Sequence, residues 1–272
     1  CAEAGLKGVS VDKPIAGTLA DADDMVEACA SRGVVFGGGN LQRAMNEVQA
    51  AARRIHSGEF GTLQGAAVHG WGGEISGGGC QHICVLRLFS RAELTEVTAW
   101  GTPAEALKQE DDEGLIIHGQ FSLSTGISCA VFGSPTPYRG VDVWTEEALI
   151  RWDWAPPEIY VGFDANGKRK QIDPGYAAYE WSEFSYLTGS IRSFLAAVET
   201  GSELWISGHD LRQALEAAIA AKHAALMGSK TLPLPREDRS LRLLSRPYRW
   251  LGGDVIGKPQ SLQEAATGVR DS

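Results

Sequence analysis

A strand–helix–strand unit at the start of the chain is the feature that most constrains the fold. Val9–Val11 and Val34–Phe36 are short apolar runs that suit buried strands, and the residues between them place apolar side chains at helical spacing. Thr18 stands where this helix needs a cap, and Gly33 stands where it ends. Strands joined through one helix pair in parallel, so the unit predicts a parallel α/β sheet. Because two parallel strands do not make a stable domain, the first forty residues are predicted to be the last third of a larger one.

From Gly61 onward the sequence changes to short runs rich in β-branched and aromatic residues. These runs are Leu63–Trp71, Leu94–Trp100, Leu115–Phe121, Ile127–Phe132, Val141–Trp144, Leu149–Trp152 and Ile159–Phe163. Turn-like residues connect them, and Asn166-Gly167 is the clearest hairpin signal. The pattern predicts a large, open and mostly antiparallel sheet.

Two long helical segments, residues 180–199 and 209–227, follow the strands and are predicted to cover this sheet. Residues 40–228 therefore form a second domain in the prediction. Residues 229–272 contain Pro and Arg without periodicity, and we expect an irregular strap over the surface or over a partner. The predicted fold class is α/β plus α+β, in which the tail of a parallel domain precedes a domain built on an open sheet.

Composition and charge argue against two classes of protein. The 272-residue chain is 43% apolar and 22% charged, which is ordinary for a globular protein. Its formal net charge of −9 leaves no basic face for a nucleic acid, and no apolar run approaches the roughly 18 residues of a membrane span. The five cysteines are odd in number and mostly isolated, which indicates reduced thiols and a cytoplasmic location.

The turn Asp12-Lys13-Pro14 follows the first predicted strand, at the position where open α/β sheets place their ligands. Asp12 and Pro14 would hold the turn, so that the Lys13 ammonium could donate to a substrate hydroxyl or carry a proton. Taken alone, the tripeptide is more typical of a solvated surface lysine.

The second predicted strand runs into Gly37-Gly38-Gly39 and a following helix, as a dinucleotide-binding loop does. The pattern G-x-G-x-x-G is incomplete because Gln42 occupies the place of its third glycine. Three glycines by themselves indicate only that something approaches the backbone closely.

The stretch GGGCQHIC, residues 77–84, carries three side chains that bind metals elsewhere. On a strand, Cys80, His82 and Cys84 would share a face and permit a soft-metal site. Structural zinc sites use a second, distant ligand pair, which this chain lacks. Residues 85–89 also look helical, which would scatter the three side chains. The sequence therefore predicts no metal here.

Aromatic residues and a histidine of the predicted sheet are further candidates. His118 alternates with Ile117, and we predict that it faces the open side of the sheet as a substrate contact. Trp144, Trp152 and Trp154 suit a sheet face that packs against helices or a second subunit. We predict that the face bearing Trp144 and Trp152 is buried between subunits, with sugar stacking as the alternative.

The order of these pieces, and above all VSVDKPIAGTLADADDMVEAC (residues 9–29) and RRIHSGEFGTLQG (residues 53–65), resembles the Gfo/Idh/MocA family of oxidoreductases. The resemblance extends from Cys1 to about Met227. It implies that residues 1–39 are the C-terminal part of a dinucleotide-binding Rossmann domain and that a substrate-binding and oligomerisation domain follows. It also implies an NAD or NADP cofactor, a sugar, cyclitol or related polyol as substrate, and a homo-oligomer formed through the open sheet face.

The resemblance assigns roles to four residues. Lys13 matches the family's lysine, which sits beside the nicotinamide and contacts the hydroxyl being oxidised. Asp12 takes the place of the glutamate before it, and Pro14 matches the proline after it. Arg43 fits an arginine of the loop after the second strand, near the cofactor or the substrate. Asp12, Lys13, Pro14 and Arg43 are thus the expected cofactor contacts.

The family also has a histidine as acid–base partner, supported by an aspartate three residues later, in the region of GGGCQHIC. One alignment places Gln81 and Cys84 at these positions, and a one-residue slip places His82 and Val85 there. Glutamine does not exchange a proton near neutral pH, whereas histidine does. We expect His82 to relay the proton and Gln81 to contact the substrate; the aspartate is lost in either alignment.

The glycine fingerprint of the family's Rossmann half does not occur in this sequence. Two other functions therefore stay open beside a dehydrogenase. One is a glycosidase or dehydratase that uses the bound cofactor transiently, as some relatives do. The other is a non-catalytic binding or assembly protein with a vestigial site.

Overall fold

The structure is a computed structural model that describes residues 1–38, 42–134, 139–177 and 185–244. Its strands are β1 Gly8–Val11, β2 Val35–Gly38, β3 Leu63–His69, β4 Leu94–Thr102, β5 Ile116–Leu123, β6 Ser128–Phe132, β7 Gly140–Thr145, β8 Ala148–Trp152, β9 Glu158–Phe163, β10 Arg169–Ile172 and β11 Leu232–Pro233. Its α-helices are α1 Leu19–Ala30, α2 Asn46–His56, α3 Cys80–Ser90, α4 Ala104–Lys108, α5 Ser185–Thr200 and α6 Gly208–Leu226. Short 3-10 helices occupy Ala2–Ala4 and Gln42–Ala44.

The predicted strand–helix–strand unit is confirmed. Strands β1 and β2 pair in parallel, with α1 between them. The Thr18 side chain accepts a hydrogen bond of 3.0 Å from the Asp21 backbone N–H, so it caps α1 as expected. After the helix, Gly33 adopts a left-handed conformation with φ 64°. The domain boundary predicted between residues 39 and 40 falls next to residues outside the described part, and it stays a prediction.

This unit packs against the two long C-terminal helices. A Cβ on Gly8 would lie 2.7 Å from the Phe194 ring of α5, and one on Gly37 would lie 2.2 Å from the carbonyl oxygen of Ile206, just before α6. The glycines let the small sheet approach the larger domain closely.

The second sheet has nine strands in the order β10-β9-β8-β7-β3-β6-β5-β4-β11. Every neighbouring pair is antiparallel except β3 and β6, which are parallel, so the predicted mostly antiparallel sheet is confirmed. The hairpin predicted at Asn166-Gly167 joins β9 and β10, and Gly167 has the positive φ of 75° that such a turn requires.

Helices α3 and α6 cover one face of this sheet, and no helix of the described residues covers the other, which we call the open face. Along β7, Val141 and Val143 are fully buried towards the helices, whereas Trp144 on the open face is 39% exposed. Trp152 is 0% exposed and packs on the helix side. The prediction that Trp144 and Trp152 share a face was wrong, because Trp144 pairs with Leu149 and Trp152 lies an odd number of residues beyond it.

The C-terminal segment lies on the chain's own surface and is more regular than predicted. Residues 232–233 form β11, the edge strand beside β4. Arg239 then bonds Asp23 of α1, at 2.6 Å, and Glu216 of α6. The Leu243 N–H donates to the Gly17 carbonyl at 2.9 Å, so this strap joins the small sheet to the helices. Residues 245–272 of the predicted strap lie outside the described residues.

The lengths and compositions of the helices show whether any of them could span a membrane. Among the described residues, no helix combines the length and the apolar character that crossing a bilayer requires.

Candidate active site

A cavity of about 430 Å³ lies at the carboxyl end of β1, where the N-terminus of α3 approaches the turn after that strand. We call it the front cavity. Its lining residues are Lys13, Gly70, Gly72, Gly73, Glu74, Gly78, Gly79, Gln81, His82, Arg139 and Trp154. Three of the residues singled out from the sequence, Lys13, Gln81 and His82, thus lie together.

Lys13 reaches the front cavity from the turn after β1. The Asp12 carboxylate accepts a 2.8 Å hydrogen bond from the Lys13 backbone N–H, and the Lys13–Pro14 peptide is cis. Asp12 itself is exposed, whereas Lys13 and Pro14 are half-buried. The Asp12 hydrogen bond therefore holds the backbone from which the Lys13 side chain reaches the cavity wall, and an ammonium has three N–H donors.

The glycine run before α3 makes room for a carboxylate. A Cβ on Gly77 would lie only 1.9 Å from Oε1 of Glu74, and a Cβ on Gly79 would lie 2.5 Å from the Ile75 carbonyl oxygen. Glu74 lines the front cavity and is 8% exposed. The run is thus explained by the packing of Glu74 and the loop before α3, and sequence reasoning did not single out Glu74.

Gln81 is held in place from outside α3. Its Oε1 accepts a 3.0 Å hydrogen bond from the Gln42 backbone N–H, so its amide group bridges α3 and the 3-10 helix before α2. Gln81 is 5% exposed and lines the front cavity. Because the oxygen is already bonded, the amide nitrogen is the atom that Gln81 offers to a ligand.

His82 is the most deeply buried polar group of the front cavity, at 2% exposure. Its ring meets the rings of Trp152 and Trp154 edge-on, with 5.7 Å between centroids in each case. Neither ring nitrogen makes a hydrogen bond of normal geometry in the described part of the chain, although the Gly79 backbone lies close enough to raise the pKa of the ring. Burial outweighs this and, with smaller contributions from Arg139 and His69, lowers the pKa of His82 to about 3. His82 therefore presents a neutral imidazole.

The two alignments of GGGCQHIC are resolved by the helical geometry of α3. Gln81 and His82 both line the front cavity, so both side chains can face a ligand there. Cys84 is fully buried, and its Sγ lies 3.8 Å from the Asp210 carbonyl oxygen on the far side of α3. Val85 is fully buried in the core. Neither candidate replacement for the aspartate faces the cavity, whose carboxylate comes from Glu74 instead.

The same helix directs His82 away from Cys80 and Cys84, which lie one turn apart on one face. Burial raises the pKa of the Cys84 thiol to about 12 and that of Cys80 well above its usual value, which disfavours the thiolate that metals bind. Across the described residues, no group of three His, Cys, Asp or Glu side chains is placed to hold a metal ion.

Two aromatic residues and an arginine complete the front cavity. Trp154 has φ 72°, which is uncommon for a bulky side chain, and it stacks on Trp152 with 5.6 Å between centroids. The Arg139 guanidinium carbon lies 4.6 Å from the centre of the Trp154 ring. The sequence offered Trp154 only as a packing or stacking residue, and it gave no signal for Arg139.

Arg43 does not line the front cavity, and its expected contacts to the cofactor and substrate stay a prediction. It lines a separate cleft of about 680 Å³, the rear cleft, on the other side of α3. Its Nη1 donates to Asp210 at 2.8 Å and to the Cys84 carbonyl at 3.3 Å. In the 3-10 helix the Gln42 N–H points to Gln81, whereas the Arg43 side chain points to Asp210 on the other side of α3. The spacing of these residues in the sequence does not predict this difference in direction.

His118 also lies away from the front cavity. It faces the open side of the sheet, as predicted, where its ring stacks on Trp100 with 6.0 Å between centroids. It is not among the residues that line the front cavity. The structure therefore gives His118 a place on the sheet surface and does not bring it to Lys13.

Comparison with known proteins gives the fold. No family model and no curated protein sequence matches the chain. Among solved structures, the aldose-aldose oxidoreductase from Caulobacter crescentus complexed with glycerol matches with TM-score 0.67 and 20% identity, over 86% of this chain and 73% of that one. An oxidoreductase from Agrobacterium radiobacter in complex with NAD+, L-tartaric acid and magnesium matches with TM-score 0.63 and 18% identity, over 82% and 72%.

A third match is the super-repressor mutant of Gal80p from Saccharomyces cerevisiae, with TM-score 0.64 and 16% identity over 84% of this chain and 72% of that one. At these identities the likenesses show the fold alone. The chain has the fold of the Gfo/Idh/MocA-type oxidoreductases, and the predicted resemblance is confirmed at that level.

Proposed function

We propose that the protein is an NAD(P)-dependent oxidoreductase that oxidises a carbinol of a sugar, cyclitol or related polyol. The observation that carries the proposal is the meeting of Lys13, from the carboxyl end of β1, with Gln81 and His82 of α3 in one cavity. Solved structures of the same fold support it, since one is an aldose-aldose oxidoreductase and another holds NAD+.

Lys13 and His82 take complementary roles in this reaction. The Lys13 ammonium donates a hydrogen bond to the carbinol oxygen and stabilises the negative charge that grows there as the carbon loses hydride. A nicotinamide cofactor supplies the hydride acceptor when it is bound. The hydroxyl proton passes to a ring nitrogen of His82 and on to solvent. This transfer requires the pKa of His82 to rise when the substrate is bound, because a base of pKa about 3 accepts a proton poorly near neutral pH. The product is the carbonyl compound.

The described residues fit the nicotinamide end of such a cofactor. The turn Asp12-Lys13-Pro14 lies at the carboxyl end of β1, where this class of sheet binds its ligand. Glycines at 70, 72 and 73 form part of the cavity wall and let a flat ring approach the backbone. No G-x-G-x-x-G loop for the pyrophosphate occurs among the described residues, so the proposal assigns contacts to the nicotinamide end alone.

Cofactor binding and turnover test the proposal separately. The protein is expected to bind NAD or NADP, detected by absorbance and mass spectrometry. With a panel of polyols, Lys13→Ala should lower kcat/KM by roughly a hundredfold or more, as loss of a charge-stabilising donor does. Lys7→Ala, at an exposed lysine before β1, is the matched control. A protein that binds neither nucleotide, or a Lys13→Ala variant with native activity, would refute the assignment.

A non-catalytic regulator or assembly protein is the second candidate. It is favoured by the absence of a carboxylate from α3 among the cavity-lining residues and by the low basicity of His82. The fold shared with Gal80p is in keeping with it. This candidate predicts nucleotide or sugar binding without turnover, and equal ligand affinity in the wild type and Lys13→Ala.

A homo-oligomer formed through the open sheet face also belongs to the proposal. On this face Trp100 is 52% exposed, Phe132 53% and Trp144 39%, an apolar surface that a second copy would cover. Light scattering is expected to show more than one copy, and a clean monomer would refute this part. The five free thiols, four of them buried, support the proposed cytoplasmic location.

A further inference from the structure

Arg139 is exposed at the rim of the front cavity, and its contacts differ from those of arginines paired with carboxylates elsewhere in the described part of the chain. Arg87 and Arg239 are bonded to carboxylates, whereas no described residue supplies a carboxylate or a hydrogen-bond acceptor to the Arg139 side chain. Its guanidinium instead lies over one face of the Trp154 ring, at 4.6 Å. An arginine stacked in this way keeps the N–H groups along its edge available.

The ring beneath Arg139 is a fixed platform. Trp154 is held in a left-handed backbone conformation, and its indole stacks on Trp152, which is 0% exposed. A bulky residue keeps such a conformation only where its surroundings determine it, and these positions are concentrated at ligand sites. The stack positions Arg139 beside His82, whose ring meets both tryptophans.

We propose that Arg139 binds a carboxylate of the substrate, so that the front cavity takes a sugar acid, of the uronate or aldonate class, in preference to a neutral polyol. The assignment of the reacting carbinol to Lys13 rests on the proposed function. Binding of the acid does not rest on it, because it follows from the residues around Arg139.

The charges in the front cavity favour such a ligand. Lys13 and Arg139 are cationic there and Glu74 is the one lining residue with a carboxylate, so a bound monoanion balances the set. The planar fork of arginine matches a carboxylate with two parallel hydrogen bonds. A phosphate group would call for further cations, which the lining residues do not include. The cavity of about 430 Å³ has the size of small-molecule sites.

Unsatisfied polar atoms next to Arg139 suit the remainder of a polyol. Nδ1 and Nε2 of His82, and Nε1 of Trp154, are buried and have no partner in the described part of the chain. Buried polar atoms are nearly always hydrogen-bonded in proteins, so unpaired ones grouped at a cavity indicate a polar ligand. Sugar hydroxyls both donate and accept, which matches an imidazole and an indole N–H together.

Carboxylate binding would also assist the proposed chemistry. The charge of Arg139 contributes to the lowered pKa of His82. A carboxylate bound to Arg139 offsets this charge, so His82 becomes a better proton acceptor when the acid substrate is in place. Recognition of the acid and proton transfer from the carbinol are thereby coupled in one cavity.

Calorimetry of the full chain without nucleotide tests the inference. The ligands are D-galacturonate, D-glucuronate and D-gluconate, each paired with its neutral counterpart D-galactose, D-glucose or D-glucitol. At least one acid is expected to bind about ten- to a hundredfold more tightly than its neutral partner, the range for a charge-assisted hydrogen bond. Arg139→Gln should abolish this preference, because it weakens binding of the acid far more than binding of its neutral partner.

Arg169→Gln is the matched control, because Arg169 is also an exposed arginine over an aromatic ring, Phe163 at 5.6 Å, but lies outside the front cavity. It should keep the full preference for the acid. Arg139→Lys retains the charge without the planar fork and should keep part of the preference. If Arg139→Gln does not fold, the lysine variant decides: a preference reduced several-fold supports the inference, and an unchanged one overturns it.

The inference is overturned if no acid binds more tightly than its neutral counterpart, or if Arg139→Gln weakens both members of a pair equally. Failure of the proposed function has a different signature. In that case the acid preference persists in calorimetry, while no nucleotide-dependent oxidation is found with either class of ligand.

Discussion

Helix α3 separates two polar regions that the fold treats differently. In the rear cleft, Arg87 is 7% exposed and donates to Asp210 and to Glu93, each at 2.5 Å, and Arg43 shares Asp210 at 2.8 Å. In the front cavity, five residues before Arg87 along the same helix, His82 is buried without a hydrogen bond of normal geometry to the described residues. The rear cleft thus has its buried charges paired with one another. The front cavity has buried nitrogen atoms that make no hydrogen bond within the described residues.

The difference separates a structural role from a ligand-binding one. Removing one member of a buried charge group leaves the others unpaired, so such groups are retained for the integrity of the fold. Polar atoms that are buried and unpaired stabilise nothing by themselves, and two unpaired nitrogens of one ring at a cavity wall suit a partner from outside the chain. Size alone would have pointed to the rear cleft, and the chemistry points to the front cavity.

The largest expected effect comes from breaking the charge group of the rear cleft. Asp210→Ala leaves Arg87 and Arg43 without their shared carboxylate and removes the capping box with Ser207 at the start of α6. We expect a loss of about 3–5 kcal/mol in the free energy of unfolding, measured by urea denaturation. Glu59→Gln, which breaks the more exposed Arg54–Glu59 pair, should cost no more than about 1 kcal/mol. A loss for Asp210→Ala as small as that of Glu59→Gln would contradict the comparison.

Sequence patterns predicted the parts of this molecule that depend on local spacing. The unit from Val9 to Phe36, the cap at Thr18 and the hairpin at Asn166-Gly167 are set by neighbouring residues, and they were confirmed. The position of Lys13 followed from the strand that precedes it. Such features need no knowledge of how distant segments pack.

The remainder depended on packing that no local pattern encodes. Arg139 and His82 line one cavity because both contact the same tryptophan: the His82 ring meets Trp154, and the Arg139 guanidinium lies over it. Nothing in the sequence indicated that Glu74 lines the cavity, because its place there depends on the space left by the missing side chain of Gly77. The sequence also could not show that the 3-10 turn places Arg43 on the far side of α3, beside Asp210, while the adjacent Gln42 bonds Gln81.

The next effect concerns the shape of the front cavity. Gly77→Ala would place a methyl group 1.9 Å from Oε1 of Glu74, so the carboxylate must move, although the backbone of Gly77 has no positive φ to strain. We expect kcat/KM for the preferred polyol to fall by about 10- to 100-fold, the effect of a displacement of about 1 Å in a catalytic site. Gly78→Ala, whose methyl group would lie 3.8 Å from Glu74, should lose less. Equal losses in steady-state kinetics would show that Glu74 is not the cause.

Acid should weaken the rear cleft more than the front cavity. The positive charges of Arg43 and Arg87, together with the bonds to Ser207, outweigh burial and lower the pKa of Asp210 in the folded protein. The unfolded chain therefore binds a proton at higher pH than the folded one, and the stability from Asp210 is present above the ordinary carboxyl pKa of about 4 and lost as pH falls below it. Urea denaturation at a series of pH values should show this decline in the wild type and a shallower one in Asp210→Asn. Identical slopes would contradict it.

The smallest change in stability is expected for a substitution of His82, which lines the front cavity. This substitution tests most directly whether the front cavity binds a ligand and the rear cleft stabilises the fold. His82→Leu replaces an imidazole that has no partner with an apolar side chain of similar size, so the free energy of unfolding should change by less than about 1 kcal/mol in either direction. Catalysis should nevertheless be lost, if His82 relays the proton.

His56 of the rear cleft is the matched control, because its Nε2 bonds the Leu88 carbonyl at 2.8 Å. His56→Leu should cost about 1 kcal/mol or more, since it leaves that carbonyl unpaired. In NMR titrations, the His82 ring should not change protonation between about pH 5 and about pH 8, because burial lowers its pKa to about 3. A costly His82→Leu substitution, or a ring that titrates in this range, would mean that His82 already has a partner inside the fold and would move it from the ligand-binding side of the comparison to the structural side.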